Sequence, residues 1–159
     1  MGEFMKYAVS LAFALSSGLA FAQGYPSKPV KIVVPDAGGG PDAVARIISP
    51  QLQLQIGQPV VVENRPGANT IIGTESVAKS PTDGYTLLLT TTAFAVNPAI
   101  YKKLPFDPVK DFVTIAVPVT YGQMLTVHPS VPAKSVKELV DLAKSKPLNY
   151  ASGGNGSPS

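Results

Sequence analysis

The sequence of 159 residues lacks cysteine and contains one histidine, His128. Without cysteine the chain has no disulfide, no thiolate metal site and no cysteine nucleophile. A single histidine leaves no partner for a histidine-based metal site. We expect His128, which precedes Pro129 at the end of an apolar segment, to be structural and not part of a Ser-His-Asp triad. No catalytic residue, metal site or cofactor is therefore predicted.

Charged residues are also scarce, at 14% of the chain, and the formal net charge is +3. No cluster of four or more lysines and arginines occurs, so no nucleic-acid-binding surface is predicted. The aspartates show no spacing typical of a catalytic pair, and turn and helix-cap positions account for most of them. Hydrophobic residues are abundant, at 45% of the chain. The 14 glycines and 16 prolines are spread between apolar runs. This composition predicts a globular chain with many turns.

The N-terminus has the pattern of an export signal. Met5-Lys6 is followed by a mostly apolar run to Phe21, and Ala20-Phe21-Ala22 matches the small-x-small cleavage signature. Residues 1–22 are predicted as a signal peptide cleaved near Ala22, with residues 1–4 a candidate cloning remnant. The alternative is a membrane-spanning helix, but an apolar stretch of ~15 residues is shorter than the ~20 that a bilayer requires.

Short β-branched runs alternate with helical patterns along the chain. Strands are predicted at Val30–Val34, Val60–Glu63 and Tyr85–Thr90, and helices from Pro41 to Ile56 and from Ile71 to Lys79. This order predicts an α/β fold with right-handed crossovers and a mostly parallel sheet. Pro50 predicts a kink or a split in the first helix.

The pattern is looser after Thr90. A helical turn is predicted at Asn97–Tyr101, a capped turn from Asp107 to Phe112, strands at Val113–Val119, Met124–His128 and Leu148–Ala151, and a helix behind the capping box of Ser135 and Glu138.

Two glycine loops follow predicted strands, one at Gly38-Gly39-Gly40 and one at Gly153-Gly154-Asn155-Gly156. Glycine lets backbone N–H groups approach a ligand, and a following helix N-terminus adds unpaired donors, so such loops suit a carboxylate or phosphate. The alternative is that each loop is only a tight strand-to-helix connection. Neither loop matches a nucleotide-binding glycine motif. Arg65, beside Glu63, is predicted either to meet a ligand carboxylate or to form an ion pair within its loop.

Several short motifs occur in order from about Tyr25 to the last residue. They are Val33-Val34-Pro35 with its glycine loop and Asp42–Arg46, Gly57–Ala68, Val77–Lys79, Asp83–Leu88, Leu104–Phe112, and Asn149–Ser152 with its glycine loop. Together they resemble the tripartite tricarboxylate transporter receptors, the TctC or Bug family. The resemblance implies a periplasmic receptor whose two α/β lobes close around a small carboxylate and deliver it to the subunits of a membrane permease.

The resemblance also implies the organisation of the chain and its site. Residues 23–120 would form a periplasmic-binding-protein-like first lobe, and residues 121–159 the start of a second, incomplete lobe, because family members are considerably longer. The expected ligand-binding residues come from three loops: Ala37, Gly38, Gly39, Gly40 and Pro41; Thr91, Thr92 and Ala93; and Ser152, Gly153, Gly154, Asn155, Gly156 and Ser157. We expect a monomer with no nucleic-acid partner, and we expect the 159-residue chain alone to bind weakly or not at all.

One departure from the family pattern bears on the ligand. The segment between Pro35 and Asp42 is one residue shorter than usual, and Asp36 stands where an aromatic residue is common. A carboxylate at this place would repel an anionic ligand unless it points away. Two other interpretations stay open, a phosphate- or nucleotide-binding α/β enzyme domain and a non-functional truncated receptor.

Overall fold

The computed structural model describes residues 24–152 and contains three strands and four helices in that range. The elements are β1 (Val30–Val34), α1 (Gly40–Ile56), β2 (Val60–Asn64), α2 (Ile71–Ala78), β3 (Thr86–Leu88), α3 (Ala93–Ile100) and α4 (Val136–Ser145). The predicted signal peptide and the second glycine loop from Gly153 onward lie outside the described residues.

The three strands form one parallel sheet in the order β2-β1-β3. Val30 pairs with Val60 on one side of β1, and Ile32 pairs with Leu87 on the other. Because β2 and β3 flank β1 on opposite sides, crossovers of the usual right hand place α1 and α2 on opposite faces of the sheet. The contacts agree, since α1 packs on β1 and β2 whereas α2 packs on β1 and β3. The prediction of an α/β fold with a parallel sheet is confirmed.

The core lies on both faces of β1, the central strand. Ile32 and Val34 point to one face and are buried with Ala45 of α1. Val33 points to the other face, because side chains alternate along a strand, and it is also buried. A strand buried on both faces favours apolar residues, which explains why four of its five residues are β-branched, with Lys31 the exception.

A smaller aromatic cluster attaches residues 104–112 to α3. The ring of Phe94 lies parallel to that of Phe106, with centroids 6.3 Å apart, and meets Phe112 edge-on at 5.1 Å. Phe106 is 7% exposed. The predicted turn begins at Asp107, whose Oδ1 accepts hydrogen bonds from the backbone N–H groups of Val109 and Lys110.

Pro50 does not split α1, which continues from Gly40 to Ile56. Pro50 leaves the carbonyl of Arg46 without its helical donor. Both residues are exposed, so water can satisfy this carbonyl while the buried face of the helix is uninterrupted. The prediction of a split helix was wrong.

Four other predictions differ from the structure. The turn predicted at Asn97–Tyr101 is the second half of α3, a full helix that accommodates Pro98. Residues 113–119, 124–128 and 148–151 form no strand in the described part of the chain. Their alternating apolar residues suit a strand, but a strand also needs a partner for its backbone groups, and residues 24–152 supply none.

The predicted capping box of α4 is confirmed with one change. Ser135 Oγ accepts a hydrogen bond from the backbone N–H of Glu138 at 3.2 Å. The Glu138 carboxylate reaches back to the N–H of Lys134 at 2.7 Å, one residue earlier than the usual arrangement. None of the residues of α4 is buried.

Within residues 24–152, none of the helices has both the length and the apolar character that crossing a membrane demands.

Candidate functional site

A cavity of about 420 Å³ opens at the carboxyl edge of the sheet. In strand order β2-β1-β3 the chain leaves β1 toward β2, whereas β3 lies on the opposite side of β1. Open parallel sheets leave a crevice at such a reversal of direction, outside the carboxyl ends of the strands. The lining residues come from the loops after all three strands and from a fourth segment: Pro35, Asp36, Ala37, Gly38, Gly39, Gly40, Pro41, Pro66, Gly67, Asn69, Thr70, Thr91, Ala93, Tyr121 and Gln123.

The first glycine loop presents backbone donors to this cavity. Gly38 and Gly39 have φ angles of 121° and 88°, which side-chain-bearing residues rarely adopt. Gly39 is the N-cap of α1 and offers no side chain to its first turn. Among residues 24–152, the N–H groups of Gly38, Gly39 and Gly40 have no hydrogen-bond acceptor. These donors and the positive end of the helix suit an anionic group.

A network of three side chains holds the loop against β2. Arg46 Nε donates to both carboxylate oxygens of Asp42, at 3.1 and 3.0 Å. Asn64, at the end of β2, donates from Nδ2 to Asp42 Oδ1 at 2.8 Å and to the carbonyl oxygen of Asp36 at 3.0 Å. Arg46 does not line the cavity, and its hydrogen bonds give it a structural role.

The hydrogen bonds from Arg46 and Asn64 hold the pKa of Asp42 below its usual value of 3.8. A carboxyl group with a lowered pKa stabilises the fold above its unfolded-state pKa and loses that contribution as the pH falls through the folded-state pKa. We therefore expect the variant Asp42→Asn to be less stable than the wild type at neutral pH, with the difference shrinking below about pH 4. Thermal melts of the wild type and the variant between pH 7 and pH 3 measure this difference in stability.

The control for this prediction is Asp141→Asn on α4, where the carboxylate is exposed and 3.9 Å from Lys144. It should leave the melting curve close to that of the wild type at every pH. A constant gap between wild type and Asp42→Asn down to pH 3 would show that the network does not depend on the charge of Asp42.

The loop after β2 has an unusual backbone that is held by one buried side chain. Ala68, Asn69 and Thr70 have φ angles of 46°, 51° and 71°, three consecutive left-handed residues without glycine. Asn97 of α3 is 1% exposed and bonds this turn. Its Oδ1 accepts from Asn69 Nδ2 at 2.7 Å, and its Nδ2 donates to the Asn69 carbonyl at 3.0 Å and to Thr70 Oγ1 at 3.3 Å. Asn97 therefore positions the part of the cavity wall formed by residues 69 and 70.

The fourth segment closes one side of the cavity above the glycine loop. The hydroxyl of Tyr121 lies so near Gly40 that a methyl group added there would sit 3.6 Å from it. Gln123 lines the same side. No local pattern indicates this, because the contact joins positions about 80 residues apart in the sequence and only the fold brings them together. Asn69, in contrast, lies in the loop after a predicted strand, at the edge where open parallel sheets bind ligands, so strand order could have indicated it.

The structure brings most of the predicted site residues of the first lobe together. Ala37 to Pro41, Thr91 and Ala93 line the cavity. Thr92, the N-cap of α3, does not. Ser152 is exposed and is not among the lining residues, and residues 153–157 lie outside the described part of the chain.

Arg65 takes the second of its two predicted roles. Its Nε donates to the carboxylate of Glu63, which also pairs with Lys31 at 2.7 Å. Hydrogen bonds from Lys31 and Arg65 lower the pKa of Glu63. Arg65 does not line the cavity. Asp36 does line it, so the cavity wall formed by residues 24–152 carries one carboxylate and no basic side chain.

These features define residues 24–152 as an α/β fold with an open parallel sheet and a crevice at its carboxyl edge. Residues 44–159 match the model of the tripartite tricarboxylate transporter family receptors, TctC. The chain therefore belongs to this family, as the motifs indicated.

Relatives and solved structures agree with this assignment. Protein BugT of Bordetella pertussis is 36% identical over 145 residues, which is 87% of this chain and 44% of BugT. The structure of R. palustris Rpa4515 with adipate is 35% identical with a TM-score of 0.73, covering 77% of this chain and 42% of that one. MatC (Rpa3494) from Rhodopseudomonas palustris with bound malate is 34% identical with a TM-score of 0.61, covering 76% and 42%. The chain spans less than half the length of the curated relatives it matches.

Proposed function

We propose that this protein is a periplasmic solute receptor that binds a small carboxylate in the cavity at the carboxyl edge of the sheet. The observation that carries the proposal is the first glycine loop, where three consecutive residues at the start of α1 line the cavity and their N–H groups have no acceptor within residues 24–152. Two similar structures hold dicarboxylates, adipate in one and malate in the other. Backbone donors and a helix N-terminus bind a carboxylate without a basic side chain, which suits a cavity wall that has none.

Residues 121–159 are proposed to begin a second lobe. The helix α4 has an apolar stripe that includes Val136 and Val140, yet these side chains are 65% and 47% exposed. An amphipathic helix gains most of its stability by burying such a stripe. A second lobe built on α4 would supply the cover, and closure of the two lobes around the ligand would then follow the hinge mechanism.

Delivery of the ligand to a tripartite-type permease in the membrane is the role that we propose for the closed receptor. It rests on family membership and on the predicted export signal in residues 1–22, which would place the protein in the periplasm. We propose that the receptor acts as a monomer. We propose no catalytic step, because the cavity wall in residues 24–152 contains no nucleophile and base in contact.

A pair of glycine substitutions in the product of the native gene tests the proposed site. Gly39 has φ 88° and ψ −157°, a conformation that costs about 1–3 kcal/mol for alanine. We expect Gly39→Ala to distort the first glycine loop and weaken carboxylate binding at least about fivefold. Gly40→Ala is the matched control, because Gly40 has no left-handed φ angle and its added methyl would meet Tyr121 at an ordinary 3.6 Å.

Isothermal titration of both variants and the wild type with a panel of small carboxylates, amino acids as well as di- and tricarboxylates, gives the result. Saturable binding by the wild type and by Gly40→Ala, with clear weakening in Gly39→Ala, supports the site. Equal affinities in all three proteins would place the ligand elsewhere, and the absence of binding to the wild type would refute the carboxylate receptor.

A further inference from the structure

We propose that Asp36 makes the cavity selective for a small ligand that carries a protonated nitrogen as well as a carboxylate, in preference to a purely anionic dicarboxylate. This rests on the proposed function, since it concerns the ligand of the same cavity. Its basis is the distribution of charge around the cavity wall.

Among residues 24–152, Asp36 is the one charged residue that lines the cavity. It follows Pro35 directly at the carboxyl end of β1 and is half-buried at the cavity. Its Oδ1 accepts a hydrogen bond from the N–H of Ala37 at 3.2 Å, which fixes the carboxylate beside the glycine loop. Among residues 24–152 it makes no ion pair.

Both arginines of the sequence are already paired. Arg46 is bound to Asp42 and Asn64, and Arg65 is bound to Glu63. Neither arginine lines the cavity. The negative charge of Asp36 is therefore compensated by no basic side chain in the described part of the chain, and a bound ligand meets it directly.

The cavity consequently offers two kinds of contact side by side. The N–H groups of Gly38–Gly40 and the start of α1, with about half a positive charge, attract a carboxylate. The Asp36 carboxylate repels a second carboxylate and attracts a cationic nitrogen. Gly39 is three positions after Asp36, and an extended chain advances at most ~3.6 Å per residue, so their Cα atoms lie within roughly 11 Å of each other. A ligand as short as a small amino acid therefore suits both contacts.

Ligand pairs of nearly equal length isolate this effect. Succinate and β-alanine differ in having a carboxylate or an ammonium group at one end, and glutarate and 4-aminobutyrate differ in the same way. The product of the native gene is titrated with both pairs by calorimetry, as wild type, Asp36→Asn and Asp111→Asn. The asparagine at position 36 keeps an oxygen that accepts the bond from Ala37, so the loop is preserved. Asp111→Asn removes one negative charge from an exposed turn outside the cavity.

We expect the wild type to bind the amino acid of each pair at least about tenfold more tightly than the diacid. Asp36→Asn should reduce this preference about tenfold or more, mainly by tighter binding of the diacid, whereas Asp111→Asn should leave it unchanged. A wild type that prefers the diacids, or a preference that Asp36→Asn does not alter, overturns the role of Asp36 and leaves the receptor function standing. If neither class of ligand binds the wild type or any variant, both this inference and the proposed function fail.

Discussion

Replacement of Gly73 by alanine is expected to destabilise the lobe by about 3 kcal/mol, because α2 passes too close to the end of β1 to accept a side chain. A methyl group built on Gly73 would lie 2.6 Å from the carbonyl oxygen of Arg65 and 2.6 Å from Pro35 Cβ. Both neighbours are parts of the backbone or of a proline ring and cannot rotate away. The substitution must therefore push α2 off the sheet at the point where the cavity wall begins.

Two opposing effects make the sign of this prediction informative. In an exposed helix, glycine-to-alanine substitution stabilises a protein by about 1 kcal/mol, since alanine restricts the unfolded chain. At Gly73 the steric cost should exceed this gain, so the melting temperature should fall by roughly 10 °C. Gly122→Ala is the control, because its added methyl would have no neighbour within 4 Å. A Gly73→Ala variant as stable as the wild type would show that α2 does not pack this closely.

The parallel sheet and its carboxyl-edge site could be predicted from local patterns. Three β-branched runs separated by helical patterns determine the order of elements, and parallel strands place the loops that follow them at one edge. Glycine and helix-N-terminus chemistry predicted the loop of Gly38–Gly40, whereas Thr91 and Ala93 were implied only by the family resemblance. The structure places both sets around one cavity.

The identity of the buried face of α1 could not be predicted as well. Apolar spacing points to a stripe that includes Ile47, but Ile47 is 71% exposed. The buried residues are the small Pro41, Ala45 and Ser49. Small residues let a helix approach the sheet closely, and hydrophobicity alone does not identify them. The hydrogen-bond network that holds the first glycine loop, which includes Arg46, lies at the start of this helix. Contacts distant in sequence therefore help to set the rotation of the helix about its axis.

The contacts that position the cavity wall are also non-local. Tyr121 over Gly40 and Asn97 beneath residues 69 and 70 join segments that no short motif connects. Asn97 lies in a stretch where only a helical turn was predicted, next to Pro98. Its importance follows from burial of a polar side chain, which a sequence does not reveal, and from the bonds that burial makes obligatory.

Substitution of Asn97 by alanine is expected to cost about 2–4 kcal/mol, because it removes three hydrogen bonds from a site that is closed to water. Asn97 is 1% exposed, and its loss leaves the Asn69 carbonyl and amide without the partners that they have in the wild type. A buried polar group without a partner costs about 1–3 kcal/mol, and the missing side-chain volume adds a cavity. Denaturation in urea measures the change in free energy of unfolding.

The same substitution should also affect ligand binding, which separates a positioning role from a purely structural one. Ala68, Asn69 and Thr70 occupy left-handed conformations, and the bonds from Asn97 hold this turn at the cavity. Without them we expect the turn to relax and ligand affinity to fall, even at temperatures where the variant is fully folded. Asn149→Ala, at an exposed position, should change neither quantity by more than about 0.5 kcal/mol. If Asn97→Ala lowers stability but binds ligand as tightly as the wild type, the turn at residues 68–70 keeps its shape without Asn97, and the role of Asn97 is purely structural.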